Sequence, residues 1–329
     1  MPTAQPSNFV RALRRMAAAT DTPTPTDINA LSGATRENLA EWRAEWPHVP
    51  PHRQHAIVQA MVEAAELSVH SDFSDVFIAL LDESDEVVRA RAIDGLWENE
   101  TPTLARRWLR FVMEDKSALV RASAADGLGH FLLRAELGRQ ANPSAQTITD
   151  ALLTRFNDPN EDDEVRRHAL ESVAYASDER VSDVIREAYD EGDETMRASA
   201  VFAMGRNADS EWNDIVVDEL SSRDAAMRYE AAYAAGELMA VEALPQLIEL
   251  VEDADHQVRE SAVWALGQIG GREARRVLES VLAGDDEALH EAAEDALAEL
   301  EFAAGEEPFS MFDFDADVNG NGHVRDDEE

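Results

Sequence analysis

Cysteine is absent from the 329 residues, which excludes disulfides, thiolate metal sites and cysteine nucleophiles. Lysine is almost absent: Lys116 stands alone beside 28 arginines, and 68 acidic residues bring the formal charge to −39. Binding of duplex or single-stranded nucleic acid needs a basic face for phosphate, and the sequence shows none. Long apolar runs are missing too, and none approaches the roughly 20 residues of a membrane span. The start, MPTAQPSNFVRALRR, lacks the apolar core of a signal peptide, so a cytoplasmic chain without membrane attachment is expected. None of the nine histidines lies in an HExxH motif, and no P-loop or nucleophile elbow appears.

What the sequence does have is a repeated phrase, clearest in Asp255 to Gly271, DHQVRESAVWALGQIGG. Asp255 suits the N-cap of a helix, because its carboxylate can accept from the free amides of the first turn. Val258, Ala262, Ala265, Leu266 and Ile269 fall on one helical face, and Gly270 and Gly271 end the helix. Gly267 sits inside it at a cost of roughly 1 kcal/mol relative to alanine, which predicts close approach by a neighbouring backbone. Taking Arg259 as the anchor, equivalents lie at Arg89, Arg121, Arg166, Arg197, Arg228 and His290, at intervals of 32, 45, 31, 31, 31 and 31 residues. Three residues after each anchor stands alanine, and six after it a small residue: Gly95, Gly127, Ser172, Ala203, Ala234, Ala265 or Ala296. Four before it stands aspartate, except Ser117. Each cap acid and the arginine one turn later can also pair with the next unit, as a structural ladder.

A unit of 31 residues holds two short helices, and neither buries its apolar face without a neighbour. The phrase resembles the HEAT-repeat superfamily, specifically the short HEAT-like repeats named after phycobilisome (bilin) lyases, over about residues 50 to 303. The resemblance implies an all-α, right-handed α-solenoid of seven to eight stacked hairpins. The acidic, lysine-poor composition also resembles proteins of salt-in halophiles, where carboxylates hydrate the surface and salt screens their repulsion. Attraction of a basic partner is the functional alternative for the same charge.

Along the chain, 1–27 is expected to hold a short amphipathic helix, Phe9 to Ala19, and the Pro/Thr linker TDTPTPT. Residues 28–50 supply a capping helix carrying Leu39, Trp42 and Trp46, stopped by Pro47, Pro50 and Pro51. The repeat array occupies 51–304, beginning with a degenerate unit in which Arg53, Ala56 and Met61 stand where arginine, alanine and an apolar residue belong. The long interval places an insertion near 135–147, where Gly138, Pro143 and Ser144 mark a surface loop. Residues 305–329 form an acidic tail expected to be disordered.

In this fold the second helix of each hairpin lines the concave surface, with positions one, two and five after the anchor free of packing duty. Those positions bring Phe202, Tyr229, Tyr233 and Trp264 together from three consecutive units, flanked by His168, Glu171, Glu230 and Glu260. Aromatic rings with one wet edge serve interfaces as anchors. The bland alternative is that they fill gaps between helices. The preferred reading is a non-enzymatic scaffold presenting this surface to a protein partner, with no cofactor.

The resemblance also implies an alternative, a lyase- or hydroxylase-type protein-modification enzyme or its accessory subunit. One branch of the superfamily, the deoxyhypusine hydroxylases, holds a di-iron centre on His-Glu dipeptides placed one and two residues after the anchor. Here only His290-Glu291 forms the dipeptide, shifted back by one; Tyr229-Glu230 lacks the histidine and Arg167-His168 the glutamate. In the tail, DVNGNGHVRDDE matches an EF-hand loop with oxygen ligands Asp317, Asn319, Asn321 and Glu328 and glycine at Gly322. Calcium binding there is a weak expectation, because the loop has no exit helix and an acidic tail produces such matches by composition.

Overall fold

The computed structural model describes residues 7–68, 71–138 and 143–305. Eighteen α-helices and four short 3-10 turns, with no strand among the described residues, follow one another as hairpins. The hairpins are α5 (Ser74–Leu80) with α6 (Glu86–Asp94), α7 (Pro102–Glu114) with α8 (Ala118–Glu136), and α9 (Ala145–Phe156) with α10 (Asp163–Val173). They continue as α11 (Glu179–Glu191) with α12 (Glu194–Asn207), α13 (Asn213–Glu219) with α14 (Ala225–Glu237), α15 (Leu244–Leu250) with α16 (His256–Ile269), and α17 (Gly271–Leu282) with α18 (His290–Gly305).

Before them come α1 (Asn8–Ala18), α2 (Pro25–Asn29), α3 (Arg36–Glu45) and α4 (Pro51–Leu67). α1 is docked: Phe9 meets Trp42 edge to face at 6.0 Å, Trp42 stacks on Trp46, and Arg14 pairs with Glu45. Arg53, the anchor of the degenerate unit, is buried and donates its Nε to the carbonyl of Met16, 2.9 Å away, which ties α4 to the end of α1.

The second helices form an unbroken row, from α4 through α6, α8, α10, α12, α14 and α16 to α18, while first helices touch one another more sparsely. Small side chains set this difference. A Cβ on Gly205 would lie 2.7 Å from the Cα of Ala234, and one on Gly267 would lie 2.8 Å from the Cβ of Ala296. The backbone approach expected at Gly267 is therefore present, and it recurs two repeats earlier at Gly205. Closer spacing on the second-helix side curves the stack toward that side, which makes it the concave face of an α-solenoid.

The cap aspartates mostly stay with their own helices: Asp85, Asp162, Asp193, Asp224 and Asp255 each accept from first-turn amides. Asp286 makes no such bond and takes Arg259 of the preceding unit instead, at 3.3 Å. The ladder otherwise runs from anchor arginines to acids lying before the next cap. Arg89 pairs with Asp115, Arg121 with Glu161, Arg197 with Glu219 and Arg228 with Asp253. Most anchors also close their own hairpin loop by donating to its carbonyls; Arg228 Nη1 reaches Ser222 O at 3.0 Å and Arg259 Nη1 reaches Asp253 O at 2.9 Å. The long interval near 135–147 is partly spent on α8, which runs 19 residues to Glu136. The tail with its calcium-loop residues, Asp317, Asn319, Asn321 and Glu328, lies outside the described residues.

Candidate functional site

Three of the four rings named from the sequence form one stack across α12, α14 and α16. Phe202 faces Tyr233 at 6.0 Å between centroids and 19° between planes, and Tyr233 faces Trp264 at 4.5 Å and 10°. Trp264 rests on Gly236, where a Cβ would fall 2.5 Å from the indole. The glycine therefore makes the seat that lets an indole lie flat on the concave row. All three rings are partly exposed, so each keeps an edge open to water while giving a face to its neighbour. Tyr229, 36% exposed, sits beside the stack and not in it.

The stack has an extension that the positions one, two and five after each anchor do not reach. The Arg206 guanidinium lies 4.4 Å from the Phe202 centroid and 4.7 Å from that of Tyr175, so it is sandwiched between the rings. Tyr175 and Arg206 each stand nine residues after their anchors, Arg166 and Arg197. At about 100° of helix per residue, positions two, five and nine fall within roughly 60° of each other. That third position was the missing signal. It also carries Glu237 and Gln268, and Gln268 donates to Glu299 one repeat on, at 2.9 Å.

Acids border the rings unevenly. Glu230 is partly buried among Glu171, Arg167 and Arg206, and burial first, Glu171 second, push its carboxyl up to about 7. Burial and the neighbouring Glu237 push the Tyr233 hydroxyl up to about 12. Glu171 accepts from Ser199 Oγ at 2.6 Å and Arg167 at 2.9 Å, so it is held in the wall of the groove. His168 belongs with that polar group and not with the rings: its Nε2 lies 3.2 Å from Glu164, and its Nδ1 lies 4.0 Å from Asp126. Glu260, half-exposed, faces His256 on its own helix at 3.7 Å. The eight named residues thus divide into a ring stack with Tyr229 and Glu260 on its α14–α16 side, and a polar wall of His168 and Glu171 on α10 that Glu230 of α14 adjoins.

Among the described residues, no group of three or more His, Asp or Glu side chains is placed to hold a metal ion. No described helix is long and apolar enough to cross a membrane.

The row of tightly packed second helices, the outer row of first helices and the arginine ladder define an α-solenoid of stacked helical hairpins. Residues 213–298 match the family model of HEAT repeats. No curated protein matches it. Among solved structures, it is similar to the complex of CpcE and CpcF of phycocyanin lyase from Nostoc, with 17% identity over 70% of this chain and 94% of that one, at a TM-score of 0.45. It is also similar to human deoxyhypusine hydroxylase in complex with glycerol, with 15% identity over 89% and 97% at a TM-score of 0.35. A designed armadillo repeat protein in complex with the peptide (KR)4 matches with 18% identity over 61% and 100% at a TM-score of 0.37.

Proposed function

We propose that this chain is a non-enzymatic scaffold that docks a protein partner on its concave face, centred on Phe202, Tyr233 and Trp264 with Tyr229 at the edge. The observation that carries the reading is the stack itself. A folded core would enclose such rings, whereas these stand in register on three helices with their edges open to water. A surface already ordered by stacking loses little entropy when a partner arrives, so its apolar area converts efficiently into affinity. Glu230, Glu260 and Glu237 around the rings favour a partner segment that carries basic residues between apolar ones.

The test compares the full chain with its Tyr233→Ala/Trp264→Ala variant in affinity capture from native lysate. Salt is kept high so that unscreened acid does not recruit basic proteins at large. The expected result is a co-purifying protein retained by the parent and lost by the variant, with helicity by circular dichroism unchanged. Equal capture by both chains sinks the proposal.

A further inference from the structure

A second feature of the second-helix row lies two repeats away from the ring stack, between α6 and α8. Eight residues past the anchor every other unit has glycine or alanine, as at Gly129, Ala174, Gly205, Gly236, Gly267 and Ala298. The first clear unit has Trp97. α6 stops at Asp94, so the chain turns away before this position and Trp97 escapes the helix contact that demands a small residue. Its side chain stands 44% exposed, with its ring 6.3 Å from that of His130.

Beneath it is a cavity of about 210 Å³, bordered by Glu66, Asp94, Asp126, Trp97, Trp108 and Gly127. Gly127 opens its floor: a Cβ there would lie 2.9 Å from Trp108 Nε1, so the indole of α7 reaches through the second-helix layer at this point. Trp108 is 2% exposed, and its N–H has no acceptor among the described residues. Trp108 lines the cavity, so its N–H is open to a ligand oxygen there. Three carboxyl groups, those of Glu66, Asp94 and Asp126, line the same cavity. Burial holds that of Asp94 above its ordinary range, with Asp126 adding to the effect, and Arg91 meets Asp94 at 3.2 Å with a half-exposed side chain.

The lining therefore calls for a ligand with a positive charge and, close to it, a hydrogen-bond acceptor. Lysine or arginine from the middle of a chain brings the charge without the nearby acceptor. A carboxylate brings the acceptor and meets three acids. The volume lies below the roughly 300–1,000 Å³ of sites for drug-sized molecules, which suits a single residue. We propose that this cavity captures the amino-terminal residue of a polypeptide. Its α-ammonium group pairs with Asp94 and Asp126, its first carbonyl accepts from Trp108 Nε1–H, and its side chain lies against Trp97. The site is separate from the ring stack and stands whether or not that stack docks a partner.

The test is calorimetric titration of the full chain at high salt with glycyl-leucinamide, N-acetyl-glycyl-leucinamide and the charge-matched N-acetyl-lysinamide. The first is expected to bind, and the other two to bind at least about tenfold more weakly, a difference of about 1.4 kcal/mol. Asp94→Asn and Trp108→Phe are each expected to weaken the first ligand severalfold with the circular dichroism spectrum unchanged. Equal binding of N-acetyl-lysinamide would show that charge alone is read and overturn the proposal. So would absence of binding by glycyl-leucinamide, or two folded variants that bind it as the parent does.

Discussion

Tyr233 lies flat against Trp264, with centroids 4.5 Å apart and planes 10° apart, although the two residues belong to different repeats. The pair therefore couples α14 to α16 as well as presenting a surface. Stacked aromatic pairs contribute about 0.5–1.5 kcal/mol beyond the area they bury. In urea unfolding, the losses of the single variants Tyr233→Ala and Trp264→Ala are expected to sum to about 1 kcal/mol more than the loss of the double variant, which is the coupling energy. Strict additivity would mean that the rings pack independently.

Gly205 gives a prediction opposite to helix propensity. Glycine to alanine inside an exposed helix gains roughly 1 kcal/mol. Here the new Cβ would lie 2.7 Å from the Cα of Ala234 and 3.0 Å from its Cβ, and backbone cannot step aside as a flexible side-chain end does. Gly205→Ala is expected to lower stability by about 1–3 kcal/mol, the range of overpacked cores. A thermal melt showing a raised midpoint would mean that α12 and α14 separate freely.

The repeat, the helix caps and the small packing positions were legible in the sequence because each follows from local geometry repeated seven times. The three stacked rings were legible for the same reason: residues at one position in successive units become neighbours. Tyr175 and Arg206 were not, since the positions considered stopped four residues short of them, Arg206 near the end of α12 and Tyr175 just past the end of α10. Trp97 stood out only as a departure from a run of glycines and alanines, and its consequence depends on α6 ending at Asp94, which propensity alone does not fix. The partners of the anchor arginines were hidden for another reason. Cap carboxylates are occupied by first-turn amides, so most of the arginines reach past them to acids such as Asp115 and Asp253.

Arg228 illustrates what those arginines hold. Its Nε and Nη2 each lie 2.8 Å from an oxygen of Asp253, while Nη1 donates to Ser222 O. Both partners are largely shielded, at 16% and 9% exposure. Removing one charge leaves the other poorly solvated, so Arg228→Ala is expected to cost about 3 kcal/mol. Arg228→Lys should recover little, because an ammonium cannot span the carboxylate and the loop carbonyl together. The arginine also holds the Asp253 carboxyl below its ordinary range. That part of the stability is present above the unfolded carboxylate range and is lost as pH falls through the lowered folded value. Urea midpoints near pH 3 and pH 7 should therefore differ less in Arg228→Ala than in the parent.

Glu230 behaves in the opposite sense. Burial and Glu171 raise its folded pKa to about 7, above the ordinary value of 4.5. Between these values the folded chain binds more protons than the unfolded one, so stability from this group is lost as pH rises through the interval. Glu230→Gln removes the titration while keeping the shape. The variant is expected to match the parent near pH 4.5 and to exceed it near pH 8 by on the order of 1 kcal/mol, less than the full shift because the group keeps some contact with water. A docked partner that places a cation beside Glu230 would favour the ionised carboxylate and lower its pKa. Binding near pH 6 would then release a proton, measurable as a dependence of the binding heat on the ionisation enthalpy of the buffer. A binding heat unaffected by the buffer in the parent and in Glu230→Gln alike would place Glu230 outside the contact and confine the docked segment to the rings.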